Sequence, residues 1–344
     1  MKYKIYTTSK KAWDGMIEAI RQAQHSIFLE MYILSEDTSL THDFFGVIRE
    51  RLQAGVSVVI IADAFGSLGL KKETVNELRV SGAEFLFFSQ LIRRTHRKIL
   101  IVDEKIAFLG GVNIHQKIMD WDDLQIRLEG KIIKPLLKTF AQGYKTCGGK
   151  NPKILKYKNN ALIKKIKSWV IDDFADEDFP SLKEYYRQKI VEAKDSVIIV
   201  TPYFVPPRWL MVLLDNAINR GVKVEIILPK FTDFIFVDRI NYNYASRLAA
   251  LGAKFYFLPK MNHAKVFVID DLEAMVGSPN FDILSINVNV ESGIFFNQKT
   301  VVNDLLKIVN HWKSSAVDFD PKKRPLNLMD FFVKIILKLF YPFL

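Results

Sequence analysis

Apolar and polar positions alternate along the chain in two rhythms, and the whole series occurs twice. Ser26 to Tyr32 is a β-rich apolar run, Asp43 to Gln53 carries helical spacing, and Val56 to Ala62 is a second strand-like run. Ser196 to Tyr203, Trp209 to Asn219 and Val222 to Leu228 repeat that order. Gly55-Val56-Ser57-Val58-Val59-Ile60-Ile61 is similar to Gly221-Val222-Lys223-Val224-Glu225-Ile226-Ile227. Gly82-Ala83-Glu84-Phe85-Leu86-Phe87 is likewise similar to Gly252-Ala253-Lys254-Phe255-Tyr256-Phe257. Each copy reads strand, helix, strand, helix, strand, which predicts parallel pairing and an α/β sandwich. The expected organisation is a first repeat over 1–147, a linker over 148–180, a second repeat over 181–320 and a tail over 321–344.

The linker changes sign along its length. Lys150, Lys153, Lys156, Lys158, Lys164, Lys165 and Lys167 come without an acid among them, and Asp172, Asp173, Asp176, Glu177 and Asp178 follow. Its basic part reads either as a solvated face or as a patch for anionic headgroups. The tail from Leu326 to Leu344 is almost wholly apolar, with Asp330, Lys334 and Lys338 on one helical stripe. It is too short and too regularly charged for a spanning helix. An amphipathic helix lying in a membrane surface fits it, with Lys322, Lys323 and Arg324 beside the headgroups. A core helix packed on the same chain is the other reading. No apolar stretch of the signal-peptide kind follows Met1.

Composition narrows the class without choosing it. The chain has 344 residues, 49% of them apolar, which excludes disorder as the main state. One cysteine, Cys147, excludes an intramolecular disulfide framework. The net charge of +11 points to an anionic partner: nucleic acid, a phosphorylated substrate or an acidic membrane.

Chemistry concentrates in two short segments. His96-Arg97-Lys98 leads to Asp103 and then Gly110-Gly111-Val112-Asn113; His263-Ala264-Lys265 leads to Asp270 and then Gly277-Ser278-Pro279-Asn280. Both read H-x-K-x4-D followed by G-x-x-N, and every matching position is offset by 167 residues (263 less 96). Random placement gives only roughly 0.04 matches to H-x-K-x4-D alone in a chain of this composition. Residues i and i+2 of a strand share a face, so each His and Lys project together from a strand end. Two such ends across a pseudo-twofold would gather two imidazoles and two ammonium groups in one pocket. Lysines suit phosphate oxygens, and two imidazoles can divide the work of nucleophile and general acid. The set therefore suits substitution at a phosphodiester with no metal and no cofactor. Asp103 and Asp270 complete the motif set at the far strand end and read as its structural partners, not as proton donors. Asn113, Ser278 and Asn280 could donate to phosphate oxygens, and the glycines let the backbone approach. His25, His42, His115 and His311 read as ordinary surface or core residues.

These paired segments resemble the phospholipase D superfamily, over about Ser26 to Trp312. The resemblance implies two pseudo-twofold-related α/β/α sandwich repeats with the active site at their interface. It implies that one motif histidine, taken as His96, forms a phosphohistidine while His263 protonates the leaving alcohol. It also implies that Lys98, Lys265 and the asparagines hold the phosphate, and that an acid downstream of each motif orients its histidine. Asp123, 27 residues past His96, and Glu291, 28 past His263, stand where those acids belong.

Other segments resemble bacterial cardiolipin synthases: Trp121-Asp122-Asp123 through Arg127-Leu128-Glu129-Gly130, Thr201-Pro202-Tyr203-Phe204-Val205-Pro206, and Gly277-Ser278-Pro279-Asn280-Phe281-Asp282 with Ser285, Asn289 and Glu291. Glu30 and Tyr32 match the family's E-x-Y strand. Leu284 stands where an arginine is usual, and the pair of spanning helices that opens many of these enzymes has no counterpart in this sequence. The implied function is a phosphatidyltransferase, with phosphatidylglycerol as donor and acceptor. It would work at the cytoplasmic face of a bacterial membrane as a peripheral protein, with an anionic phospholipid surface as partner. A phospholipase D-type hydrolase or a nuclease of the same superfamily is the alternative. Nucleic acid is disfavoured as a partner because the aromatics cluster in apolar strands and the tail instead of interleaving with basic residues. A non-catalytic scaffold would not need both motifs intact.

Overall fold

The computed structural model describes residues 1–159, 168–172 and 181–319. About half of the expected linker (160–167 and 173–180) and all of the apolar tail lie outside them.

The first repeat forms one mixed sheet from β1 (Lys2–Thr8), β2 (Ser26–Met31), β3 (Ser57–Asp63), β4 (Glu84–Phe88), β5 (Lys98–Val102), β6 (Ile106–Gly110) and β7 (Asp122–Glu129). Its order is β1-β7-β6-β5-β2-β3-β4. The second sheet uses β8 (Ser168–Asp172), β9 (Ser196–Val200), β11 (Lys223–Pro229), β12 (Lys254–Leu258), β13 (Val266–Ile269), β14 (Glu273–Gly277), β16 (Ser292–Phe296) and β17 (Val317–Asp318). Its order, β17-β12-β11-β9-β13-β14-β16-β8, repeats the first over six strands. The stretch read as a linker thus supplies an edge strand, β8, paired with β16. A short parallel pair, β10 (Phe204–Val205) with β15 (Phe281–Asp282), lies beside it.

The expected parallel pairing holds for β2-β3-β4 and β9-β11-β12. The motif strands differ: β5 runs antiparallel to β2, and β13 antiparallel to β9. Parallel neighbours need a helical crossover, whereas β5 and β13 each continue into a tight hairpin with the next strand. Those hairpins explain Asp103 and Asp270. Asp103-Glu104 and Asp270-Asp271 all have φ between 52° and 56°. Positive φ at both central residues is type I′ geometry, which asparagine and aspartate tolerate better than most side chains.

Helices cover both sheets. The first carries α1 (Ser9–Arg21), α2 (Phe44–Gln53) and α3 (Lys72–Val80) on one side and α4 (Ile133–Thr146) on the other, followed by the short α5 (Pro152–Leu155). The second carries α6 (Leu182–Glu192), α7 (Arg208–Asn219), α8 (Ile235–Ala249) and α9 (Ile283–Asn287), then α10 (Lys299–Ser314). One buried cluster is shared by the repeats: Ile99 and Ile101 of β5, Val266 and Val268 of β13, Phe140 of α4 and Trp312 of α10 all belong to it. Alternate residues Leu100 and Phe267 face the outer clusters, so each motif strand is covered on both faces. The two sheets are therefore fixed against one another by core packing.

Candidate active site

Because β5 and β13 are antiparallel to their neighbours, their first residues lie at the carboxyl ends of the parallel strands. His96 and His263 sit just ahead of them, at the end of an α/β sheet where ligands characteristically bind. Each approach segment then leaves its own sheet and pairs with the other repeat. Thr95 bridges Val290, and Asp122 bridges Asn262. The His96 N–H donates to Val290 O at 2.9 Å, and the His263 N–H to Asp122 O at 2.7 Å.

This exchange decides which acid meets which histidine. Nδ1 of His96 lies 2.9 and 3.1 Å from the two carboxylate oxygens of Glu291, and Nδ1 of His263 lies 2.9 Å from Asp123 Oδ2. The expectation that each motif is served by its own downstream acid is corrected: the pairs are crossed between repeats. All four side chains are buried. A carboxylate at Nδ1 fixes the proton there and leaves Nε2 to face the reaction. Gly111 permits one of these contacts. A Cβ built on it would stand 2.2 Å from Asp123 Oδ1 and 3.0 Å from the His263 carbonyl oxygen.

The lysines reach back along their own strands. Lys98 Nζ donates to the His96 carbonyl and lies 5.1 Å from the Tyr32 ring centre. Lys265 Nζ donates to the His263 carbonyl at 2.5 Å and to His263 Nε2 at 2.8 Å. The halves thus differ: His263 Nε2 is engaged by its lysine, whereas Lys98 turns to backbone and ring. Burial drives His96 down to about 4, with Glu291 opposing and Lys98 adding to the fall. His263 is lowered by burial and by Lys265 against the pull of Asp123. Burial also lowers both lysines, Lys265 to about 8. Glu291 is pushed up by burial but held below its ordinary value by His96, Lys98 and Ser278. The site therefore holds neutral imidazoles beside cations whose charge is poorly solvated, an environment in which an added anion is strongly favoured.

Other expected site residues divide. The Asn113 side-chain oxygen accepts from the Ile33 N–H at 3.1 Å. Asn280 is buried and hydrogen-bonds Asp282, whose carboxyl burial raises to about 6 against this bond. The Ser278 hydroxyl donates to Glu291 Oε2 at 2.5 Å, so it braces the acid instead of facing outward as a phosphate donor. Asp103 and Asp270, grouped with the motif set, lie at the opposite sheet end. Asp103 accepts from the N–H groups of Gln24, His25 and Ser26 at 2.7 to 2.9 Å. Asp270 does the same for Lys194, Asp195 and Ser196. Burial raises both carboxyls, but these donors outweigh it and hold them low. They tie a hairpin to the strand beside it and touch no reacting group.

Residue-by-residue reading left the aromatic walls without a role. Tyr32 meets the His96 ring edge-on at 4.8 Å, and Trp121 and Tyr203 stand 5.8 and 6.3 Å from that of His263. The first repeat also buries Arg97 against Glu30 and the Thr139 carbonyl, with Thr95 donating to Glu30 at 2.5 Å. The second has Ala264 where Arg97 stands. The E-x-Y pattern pointed to Glu30 and Tyr32, but nothing local tied them to His96. A cleft of about 350 Å³ opens on the seam between Arg93 and residues 286–289.

A family model described as "Cardiolipin synthase, PLD-like domain" matches the chain twice, over residues 16–142 and 186–312. The chain belongs to the phospholipase D-like cardiolipin synthase family. Both matches carry one histidine–lysine pair, in keeping with the two repeats. Among relatives of this family, a cardiolipin synthase of Clostridium perfringens strain 13 is 31% identical over 321 residues, covering 86% of this chain and 67% of its own. The minor cardiolipin synthase of Bacillus subtilis strain 168 is 27% identical over 338 residues, covering 93% and 81%. Among solved structures, phosphatidylserine synthase of Haemophilus influenzae Rd KW20 superposes with a TM-score of 0.77 at 14% identity, over 99% of this chain and 93% of that one. Polyphosphate kinase of Porphyromonas gingivalis gives 0.64 at 12% identity, over 100% and 54%. At these identities the two structures speak for the fold alone.

Proposed function

We propose that this protein is a phosphatidyltransferase that condenses phospholipids into cardiolipin, with phosphatidylglycerol as donor and acceptor. The observation that carries the reading is the pair of crossed histidine–carboxylate contacts, flanked by two buried lysines, in a member of this family.

The unequal halves favour His96 as nucleophile. Its Nδ1–H is held by Glu291, and Lys98 leaves its Nε2 free to meet phosphorus. Attack forms the Nε2–P bond and breaks the bond from phosphorus to the departing glycerol oxygen. His263 supplies the proton that oxygen takes. A phosphodiester anion draws the Lys265 ammonium towards itself, which frees His263 Nε2 and favours imidazolium. The acceptor hydroxyl then gives its proton to His263 and attacks phosphorus, and His96 leaves. In this reading Lys98, Lys265, Asn113 and Asn280 would hold the phosphate oxygens through both steps.

The protein would act as a peripheral enzyme at the cytoplasmic face of a bacterial membrane, with its substrate in the bilayer. No helix among the described residues is long and apolar enough to cross one. The tail over 321–344, read as an interfacial helix, lies outside the described residues.

The decisive assay incubates the purified chain with phosphatidylglycerol vesicles and follows lipid products. Cardiolipin and free glycerol in equal amounts are expected. Phosphatidic acid alone would replace the synthase with a hydrolase, and cleavage of single-stranded DNA without action on lipid would replace it with a nuclease.

A further inference from the structure

The carboxyl ends of both sheets carry large apolar side chains in water. On the first repeat these are Phe65 and Leu68, which follow β3, and Leu91 and Ile92, which approach His96. On the second they are Phe231, Phe234, Ile235 and Phe236, between β11 and the first turn of α8. Each is 57% to 92% exposed. One residue of each group is tied to the site through a single intermediate side chain. The Asp63 carboxylate accepts from the Thr95 N–H beside His96 and from the N–H of Phe65. Phe234 packs on Tyr203, the ring that faces His263.

The opposite sheet ends differ. Exposed large apolar residues there, such as Val80 at the end of α3, Val191 in the last turn of α6, and Leu251 and Leu272 in turns, are spread over separate elements. Such scattered residues are ordinary, whereas a group on one face marks a contact surface.

Charge within the group indicates what it contacts. The Arg94 guanidinium lies 4.7 Å from the Phe65 ring centre, and Lys230 lies 5.4 Å from that of Phe231. Each repeat therefore presents a cation over an exposed aromatic ring. Aromatics and aliphatics that bury themselves at the headgroup boundary, with cations beside them for anionic lipid, make an interfacial anchor.

We propose that this two-sided rim docks on an anionic bilayer surface and seats the mouth of the site against the headgroups. The proposal rests on the phosphatidyltransferase reading for its substrate, and it adds a contact surface separate from the tail. A phosphodiester lying in the headgroup layer then enters between the two lobes of the rim without leaving the bilayer.

The test uses the full chain with Cys147→Ala and one introduced cysteine, Ile92→Cys, Phe236→Cys or Leu272→Cys, each carrying an environment-sensitive fluorophore. Vesicles contain phosphatidylglycerol and phosphatidylcholine, and co-sedimentation reports binding. The labels at 92 and 236 should shift to the blue on binding while that at 272 keeps its emission in water. Labels at 92 and 236 that stay water-like on vesicle-bound protein would overturn the proposal, because the tail alone would then hold it. So would failure to sediment with the vesicles. Phe234→Ser with Phe236→Ser should lower vesicle partitioning by on the order of tenfold or more, given what burying such side chains contributes. Unchanged partitioning would count against the rim, and an unaltered thermal midpoint would show that the fold survived. Measuring cardiolipin in the same samples separates the two readings. Blue shifts without turnover would uphold the docking surface and sink the reaction, and turnover without shifts would do the reverse.

Discussion

Crossed pairing assigns each carboxylate to a histidine on the other repeat, and a change of leaving group tests it. If Asp123 serves His263, then Asp123→Asn weakens the proton donor and leaves the nucleophile intact. If Glu291 serves His96, then Glu291→Gln weakens the nucleophile and the cation formed on phosphorylation. A carboxylate about 4 Å from an imidazolium centre contributes about 4 kcal/mol at an effective dielectric near 20. That corresponds to about a thousandfold in rate. Nδ1-to-oxygen distances of 2.9 Å in both pairs make the two losses comparable on the natural lipid. They should separate on a phosphatidyl ester of p-nitrophenol, whose phenolate departs without help. With that ester, Asp123→Asn and His263→Ala should recover to within about tenfold of the unaltered protein for the first step, since a general acid supplies some 10² to 10⁴. Glu291→Gln should stay impaired, and His96→Ala should stay inactive. The assay is the burst of p-nitrophenolate under single-turnover conditions, with acid-quenched protein checked for phosphate on histidine. Recovery of Glu291→Gln with continued failure of Asp123→Asn would refute the roles derived from the contacts.

Three further outcomes follow from the same geometry. Gly111→Ala should cut turnover at least about tenfold, because the new methyl carbon must displace Asp123 or the backbone at His263, and a misplaced catalytic contact is costly; steady-state kinetics showing full activity would contradict the close approach. Asp103→Ala removes a carboxylate that accepts three backbone N–H bonds, so calorimetry should show a clearly lower thermal midpoint with the pH profile of activity keeping its shape; a moved profile would place Asp103 in the chemistry. Burial raises Asp282 from 3.8 to about 6, with Glu291 adding to the rise, so its contribution to stability is complete below about pH 4 and is lost as pH rises through about 6. Asp282→Asn keeps an acceptor for the Ser285 N–H at the start of α9 and should raise the midpoint at pH 7.5 but not at pH 4, and equal shifts at both would refute the argument.

The motif could be read because its spacing is local. His96 with Lys98 and His263 with Lys265 lie two apart on an extended segment, and strand periodicity alone puts each pair on one face. The two α/β units were legible for a similar reason, since hydrophobic period marks strands and helices. Strand direction was less accessible: β5 and β13 have the same apolar pattern whether they run with or against their neighbours, and both faces are covered in either case. Asp103 and Asp270 were visible as motif members, but the type I′ turn needs backbone angles, and its links to the starts of β2 and β9 need the tertiary placement.

The crossed pairs mark the limit of local reading and show why the repeats act together. His96 and Glu291 are 195 residues apart, His263 and Asp123 are 140 apart, and nothing near either histidine selects between the two acids. The choice is made by bridges at the sheet ends, Thr95 to Val290 and Asp122 to Asn262, and by a glycine that lets two chains pass. Each repeat therefore contributes a histidine whose proton position is set by the other. Neither repeat holds its own motif histidine with a carboxylate of its own, so duplication here supplies more than a second copy of the reactive groups. On the proposed roles, it couples nucleophile and acid to one relative placement of the sheets, which the shared core beneath them maintains. A change that shifts one sheet against the other would disturb both histidines at once.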